Sequence, residues 1–163
     1  KMWKASPGMF SYLCHVGVRR KSFEAGDDVF CLKERLDTMC FVTSGCLEYH
    51  SSGERHMCRE GDWIAEMALW TEWEAKGFLA ARTDSQLLLV YADSLGECAR
   101  EMGLEMKLPL SYYARSCLEQ HCAHEGGYQD LSPRPGLAQL MAESAFSSAS
   151  QWSPELRALD GLR

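Results

Sequence analysis

Turn residues recur every eight to twelve positions between Val16 and Ala92, where they separate short apolar runs. The runs read VGVRRKSF, VFCL, DTMCFVTSGCLEYH, RHMCREGDW and GFLAARTDSQLLLVYA, with turns such as EAGDD and SSGE between them. Short strands with turns at this spacing are typical of an antiparallel sandwich or barrel. The glycines at the turns suit this reading, because glycine adopts positive φ without steric cost; they are Gly26, Gly45 and Gly53.

Helical patterns flank this β region. Residues 1–15 are weakly helical, and a first helix after the strands has Asp93 as a candidate N-cap and ends at Gly103. A second helix has Pro109 near its first position and ends at Gly126. The predicted organisation is therefore a helical segment 1–15, a β domain 16–92 and closing helices 93–125. Residues 126–163 are a linker, GGYQDLSPRP, and a tail that is either helical or partly disordered.

Composition restricts the partners of the domain. The net charge of −6 argues against nucleic acid as the main partner, because phosphate backbones require basic surfaces. No run of 18 apolar residues and no signal-like segment occurs, so we expect no membrane insertion and a cytoplasmic location, including the cytoplasmic side of a membrane protein.

The eight cysteines are then reduced, and Cys31, Cys40 and Cys46 are expected in the core. Because the chain starts with Lys, we expect it to be part of a larger protein.

The stretch GDWIAEMALWTEWEAKG, residues 61–77, carries the strongest hint of a ligand site. Its first half is a Gly-Asp turn that leads into a short helix over residues 65–70, and free N–H groups at a helix start can face an anion. Its second half has two tryptophans, two glutamates and a single lysine where a phosphate site would need an arginine. The stretch is thus either a ligand pocket or a fold that has lost its ligand.

Three segments in order resemble the cyclic nucleotide-binding domain superfamily: FEAGDDVFCLKERLDTMCFVTSGCLEY (23–49), GDWIAEMAL (61–69) and ARTDSQLLLV (81–90). The resemblance implies an antiparallel β-roll, or jelly roll, with a short inserted helix and two C-terminal helices that act as a lid. The run MCFVTSGCLEY and the closing helices resemble the eukaryotic cation-channel and kinase regulatory versions most. No helix-turn-helix pattern follows the lid, which argues against a role on DNA.

The resemblance also implies site residues within residues 61–77, which we call the cassette. Glu66 stands where the family's glutamate takes the ribose hydroxyl, and Ala65 replaces the glycine whose amide approaches the phosphate. The family's arginine falls at Ala75, followed here by Lys76 and Gly77. If ligand binding is retained, the predicted contact residues are Ile64, Ala65, Glu66, Ala68, Leu69, Ala75 and Lys76.

The missing arginine sets the expected affinity for cAMP or cGMP. Losing one partner of a buried charge pair costs roughly 2–5 kcal/mol, which moves a micromolar ligand to roughly tens of micromolar or millimolar. We therefore expect binding to be weak or lost. The alternative is a genuine cAMP or cGMP sensor, supported by Glu66 and by the helix N-terminal amides. Two other ligands of the pocket are also considered. One is a different small molecule, and the other is the chain's own tail, with Trp152 and Leu156 as the candidate residues.

Other candidate sites are weaker. His50 and His56 suggest the alternative of a metal-binding, cupin-like β-barrel enzyme, but the His-x-His pair of that class is absent. Three residues that share one helix face could bind zinc, although we favour a polar lid face; they are Cys117, His121 and His124. The tryptophans of the cassette are interpreted as core plugs rather than a stacking platform; they are Trp63, Trp70 and Trp73.

We therefore predict a non-enzymatic regulatory module without a cofactor. Its expected partner is the remainder of its own larger chain, such as a transmembrane channel region. A purely structural domain that contacts only other parts of the same protein is the remaining alternative.

Overall fold

The computed structural model describes residues 17–101, 103–122 and 130–131. The predicted helical segment 1–15 and most of the predicted linker and tail 126–163 lie outside the described residues. The division of the chain into four parts therefore stays a prediction.

Ten strands of the described chain form two four-stranded antiparallel sheets and one short ribbon. The sheets have the strand orders β1-β10-β4-β7 and β2-β9-β5-β6, and the ribbon pairs β3 with β8. The strands are β1 (Val18–Phe23), β2 (Asp28–Phe30), β3 (Arg35–Leu36), β4 (Thr38–Ser44), β5 (Cys46–Ser51), β6 (Glu54–Arg59), β7 (Trp63–Ile64), β8 (Trp73–Glu74), β9 (Phe78–Ala81) and β10 (Ser85–Tyr91).

The core lies between the inner faces of the sheets. On β10, Leu87 and Leu89 are buried and lie opposite residues of β4, with Leu89 paired to Cys40. On β5, Leu47 and Tyr49 are buried and pair with residues of β9. Alternate residues of a strand point to the same face, which is why the period of two in the sequence becomes one shared apolar layer. The predicted antiparallel β-roll is confirmed.

The helical elements follow the predicted order. A 3-10 helix, Glu66–Leu69, interrupts the strands inside the cassette, and two α-helices follow β10: α1 (Ala92–Glu101) and α2 (Leu104–Cys122). Neither of the α-helices within the described ranges is long and apolar enough to cross a membrane.

Two predicted helix starts are wrong. Asp93 lies in the first turn of α1 and not at its N-cap, because the helix begins at Ala92. Pro109 lies inside α2, which begins more than a turn earlier at Leu104. Proline inside a helix removes one hydrogen bond. The Pro109 ring is fully buried, and this packing offsets part of the loss.

The cysteine side chains differ in their exposure to solvent. Cys40 is buried as predicted, whereas Cys46 is half-buried and Cys31 is exposed. The core assignment of Cys31 is wrong because β2 ends at Phe30 and the chain turns immediately, with the Cys31 N–H donating to Glu34 Oε2 at 2.8 Å. Burial raises the pKa of the Cys40 and Cys58 thiols from 9.0 to about 12 each.

These raised pKa values predict loss of stability at alkaline pH. The folded state favours the neutral thiols, so their stabilisation is complete below about pH 9 and disappears as the pH rises towards 12. Each thiol should lower the free energy of unfolding by up to about 1.4 kcal/mol per pH unit in this range. Urea unfolding with a reductant, at about pH 7.5 and about pH 10, measures the slope. The decrease of the free energy of unfolding with pH should be smaller in Cys58→Ala. A free energy of unfolding that does not change between these pH values would contradict the prediction.

Candidate functional site

Ala65 shapes the start of the cassette. It has φ 62° and ψ 36°, the left-handed conformation that glycine adopts most easily. The resemblance placed the family's glycine at this position, so the backbone conformation suited to glycine is present although the residue is alanine. The Ala65 N–H donates to the backbone oxygen of Asp130 at 2.7 Å. Asp130 belongs to the predicted linker, far from the cassette in sequence.

The Asp130 side chain is inserted against the second half of the cassette and is 2% exposed. Its Oδ2 accepts hydrogen bonds from the Tyr49 hydroxyl at 2.8 Å, from the Lys76 N–H at 2.7 Å and from the Gly77 N–H at 3.0 Å. Its Oδ1 accepts from Trp73 Nε1–H at 2.7 Å. We call these four donor groups the anion seat. All four are uncharged, so the seat binds an anion through oriented dipoles rather than through an opposite charge.

Gly77 makes the approach of Tyr49 possible. A Cβ atom at this position would lie 2.5 Å from the Tyr49 ring and 2.4 Å from the His50 carbonyl oxygen. Glycine at position 77 therefore allows the Tyr49 phenol to lie next to the Asp130 carboxylate. Burial raises the pKa of the Tyr49 hydroxyl, and the Asp130 carboxylate raises it further, so Tyr49 stays protonated as a donor.

Leu131 extends the contact along the edge of the first sheet. It forms an antiparallel bridge with Ile64 of β7 and packs, half-buried, against the main core. Residues 130 and 131 thus bind as a short extended segment. One side chain fills the anion seat and the next one joins the apolar core.

Glu66 is occupied by a different part of the chain. It is 8% exposed, and its Oε1 accepts hydrogen bonds from the Tyr113 hydroxyl at 2.5 Å and from Cys117 Sγ at 3.6 Å, both on α2. Its Oε2 accepts from Trp63 Nε1–H at 3.0 Å. Burial raises the pKa of Tyr113 and Cys117, and the charge of Glu66 raises both further, which keeps them protonated. The carboxylate therefore ties the cassette to α2.

The other predicted site residues have packing roles. Ala75 is buried, and its backbone hydrogen-bonds with Lys33 and Glu34. Ala68 is buried and Leu69 is half-buried in the core. The Lys76 ammonium lies 5.1 Å from the centroid of the Trp73 ring, so its backbone N–H, and not its charge, contacts Asp130. The assignment of these residues as contacts for an external ligand stays a prediction.

A cavity of about 460 Å³ adjoins the anion seat. It shares Trp73 and Lys76 with the seat, and Leu118 of α2 lines another side. Arg35, Glu72 and Glu74 also line it, and Arg35 forms an ion pair of 2.9 Å with Glu72, so the charged groups beside the seat are of both signs.

Sequence reasoning missed the residues that complete the site. Asp130, Tyr49 and Tyr113 carried no signal of their own, while Trp63 and Trp73 were interpreted as core plugs and are also hydrogen-bond donors. The predicted occupants Trp152 and Leu156 lie outside the described residues. His124, one of the three candidate zinc ligands, also lies outside them. Across the ranges that the structure describes, no cluster of three metal-ligating side chains was found.

Comparisons with known proteins agree with this fold. The family described as the cyclic nucleotide-binding domain matches residues 20–102, just over half of the chain. No curated protein matches the sequence.

Solved structures of several classes are similar. The C-linker/CNBHD of zELK channels, crystallised in the presence of cAMP, has 21% identity and a TM-score of 0.55, over 62% of this chain and 53% of that one. The N-terminal domain of a transcriptional regulator from Streptomyces coelicolor A3(2) has 20% identity and a TM-score of 0.58, over 77% of this chain and 94% of that one. The cAMP-bound PfPKA-R has 16% identity and a TM-score of 0.52, over 72% of this chain and 43% of that one.

The match to the zELK structure spans about half the length of that chain. At these identities the structural similarity establishes the fold, and the family assignment rests on residues 20–102. The order of strands, the inserted 3-10 helix and the matched residues lead to the same conclusion: this chain belongs to the cyclic nucleotide-binding domain family.

Proposed function

We propose that this chain is the regulatory domain of a larger signalling protein, and that its own residues 130 and 131 occupy the cassette in place of a cyclic nucleotide. The observation that carries the proposal is the buried Asp130 carboxylate, which accepts four hydrogen bonds from the anion seat. Hydrogen bonds to a charged group contribute about 1.5–3 kcal/mol each, so this contact is a strong one.

Occupancy by Asp130 opposes nucleotide binding in two ways. A cyclic phosphate brings a negative charge to donors that already bind a carboxylate, so the two anions compete for the same N–H and O–H groups. The occupant is also tethered, and a short tether gives it an effective concentration on the order of millimolar. If the nucleotide and the Asp130 segment bind the seat equally well, the nucleotide must exceed this concentration to replace Asp130. A nucleotide that binds more weakly must exceed it by the ratio of the two affinities.

The sugar and phosphate contacts implied by the family are also compromised. Glu66, the predicted ribose partner, binds Tyr113 and Cys117 of α2. Ala75 stands in place of the arginine that would form a two-toothed pair with the phosphate. These features support weak or absent affinity for cAMP and cGMP.

The proposed mechanism is movement of α2 and the segment 130–131 against the β-roll. Both attach to one turn: the Ala65 N–H binds Asp130, and the Glu66 side chain binds α2. Displacement of either one therefore disturbs the other, and the rest of the parent protein would receive this movement. A cytoplasmic tail of a cation channel is the proposed parent, supported by the fold shared with the zELK domain.

A titration with cAMP and cGMP, followed by tryptophan fluorescence and checked by calorimetry, tests the proposal. Trp73 donates to Asp130, so displacement of Asp130 should change its emission. We expect no saturable binding below about 1 mM, because the nucleotide must compete with a tethered anion. The tryptophan fluorescence of the Asp130→Ala chain gives the reference emission of an anion seat that holds no carboxylate. Saturable binding of either nucleotide at low micromolar concentration would instead identify a genuine sensor.

A further inference from the structure

We infer that the anion seat together with β7 is a receptor for a short extended peptide with an aspartate followed by an aliphatic residue. A segment of another protein with this chemistry can then bind the cassette in trans. The inference rests on the proposed function, because it takes Asp130 and Leu131 as the ligand for which the site is built.

The seat selects the side chain of the first peptide residue. Both carboxylate oxygens of Asp130 are bound, and two of the four donors are backbone N–H groups of the cassette. An asparagine would turn amide hydrogens towards at least one of these donors, since its NH₂ group cannot accept a hydrogen bond. A glutamate adds a methylene, which shifts the carboxylate from the position fixed by Trp73 and Tyr49.

The edge of the first sheet binds the main chain of the peptide in an extended conformation. β7 is the last strand of the order β1-β10-β4-β7, and the Leu131 bridge lies on its Ile64. The Ala65 N–H adds a main-chain hydrogen bond of 2.7 Å to the carbonyl of Asp130. Adding an extended segment to a free sheet edge is a recurring mode of peptide recognition, in which the main chain supplies affinity and side-chain pockets supply specificity.

The apolar core selects the second peptide residue. Leu131 packs against the main core cluster, so a polar residue at this position would lose that burial. The contacts of the described segment thus come from two consecutive residues. Their hydrogen bonds and the β-bridge are made by residues 49–77, and Leu131 also packs against the core. No element of this recognition requires the peptide to belong to the same chain.

The experiment uses the full chain with the Asp130→Ala and Leu131→Ala substitutions combined, which removes both side chains of the internal ligand. The probe is a fluorescein-labelled peptide with the chain's own sequence GGYQDLSP. Fluorescence anisotropy should show saturable binding to the double variant and at least about tenfold weaker binding to the wild-type chain, where the tethered segment competes. A peptide with asparagine in place of the aspartate should bind the double variant at least about tenfold more weakly, about 1.4 kcal/mol.

A second receptor variant separates specific binding from general adhesion. Adding Tyr49→Phe to the double variant removes one donor of the seat and should weaken binding of the aspartate peptide by about tenfold. Circular dichroism confirms that each variant is folded.

The outcomes also separate this inference from the proposed function. A folded double variant that does not bind the peptide, or that binds both peptides equally, would overturn the inference. If that same variant acquires nucleotide binding that the wild-type chain lacks, self-occupancy stands and only the peptide receptor fails. Micromolar nucleotide binding to the wild-type chain would instead overturn the proposed function itself.

Discussion

Replacing Asp130 with alanine should lower the free energy of unfolding by about 2–4 kcal/mol. The substitution removes the acceptor of three buried donors, which are the Tyr49 hydroxyl, Trp73 Nε1–H and the Gly77 N–H, and of the part-buried Lys76 N–H. Each unsatisfied buried donor costs about 1–3 kcal/mol, and entry of water into the vacated space reduces the total. The loss is therefore well below the sum of four separate penalties.

Urea unfolding at neutral pH measures this effect against two controls. Asp130→Asn keeps the shape, and its remaining oxygen can still accept the three hydrogen bonds of Oδ2, so it should cost less than alanine. Glu60→Ala removes an exposed carboxylate and should change stability by less than about 0.5 kcal/mol. If Asp130→Ala is as stable as Glu60→Ala, the Asp130 contact contributes nothing and the proposal of an internal ligand loses its basis.

The second large effect is expected at Glu66. Glu66→Ala removes the acceptor for Trp63, Tyr113 and Cys117 and should cost about 2–4 kcal/mol. The matched substitution Tyr113→Phe removes one donor and leaves the other two bonds, so its cost should be nearer about 1 kcal/mol. Because Glu66 joins the cassette to α2, Glu66→Ala should also speed amide hydrogen exchange in α2 more than in β10.

A double-mutant cycle on Glu66 and Tyr113 isolates this contact. The two residues share a hydrogen bond of 2.5 Å, and directly contacting pairs of this kind show coupling of about 0.5–3 kcal/mol. Additive effects of the two substitutions, or unchanged exchange in α2, would mean that the carboxylate does not hold the helix. The lid would then depend on apolar contacts such as that of Trp70 with Tyr113, whose ring centroids lie 5.7 Å apart.

The β-roll was predictable because its signals are local. Alternation along β5 and β10, with glycine turns between strands, indicates which face is buried before any partner strand is known. The 3-10 helix was predictable for the same reason, since the alternation stops at residue 65. The resemblance to the family then placed Glu66 and Ala65 at one turn, and the structure shows both in contacts there.

The occupants of that turn were not predictable in the same way. Tyr113 lies in the predicted second helix and Asp130 in the predicted linker, and the sequence around neither residue indicates a buried contact. A carboxylate has the same local signature in a solvated loop as in a buried seat, because the difference lies entirely in the donors around it. Those donors are 53 to 81 residues away in the chain.

The sequence by itself therefore determined the strand-and-helix order, the family and the position of the cassette, because hydrophobic period and turn chemistry act over a few neighbouring residues. Only the tertiary structure decided what fills the cassette. Closing the roll brings Tyr49, Trp73 and the N–H groups of residues 76 and 77 around one point, and a buried set of donors requires an acceptor. In this chain the carboxylate of Asp130 meets that requirement.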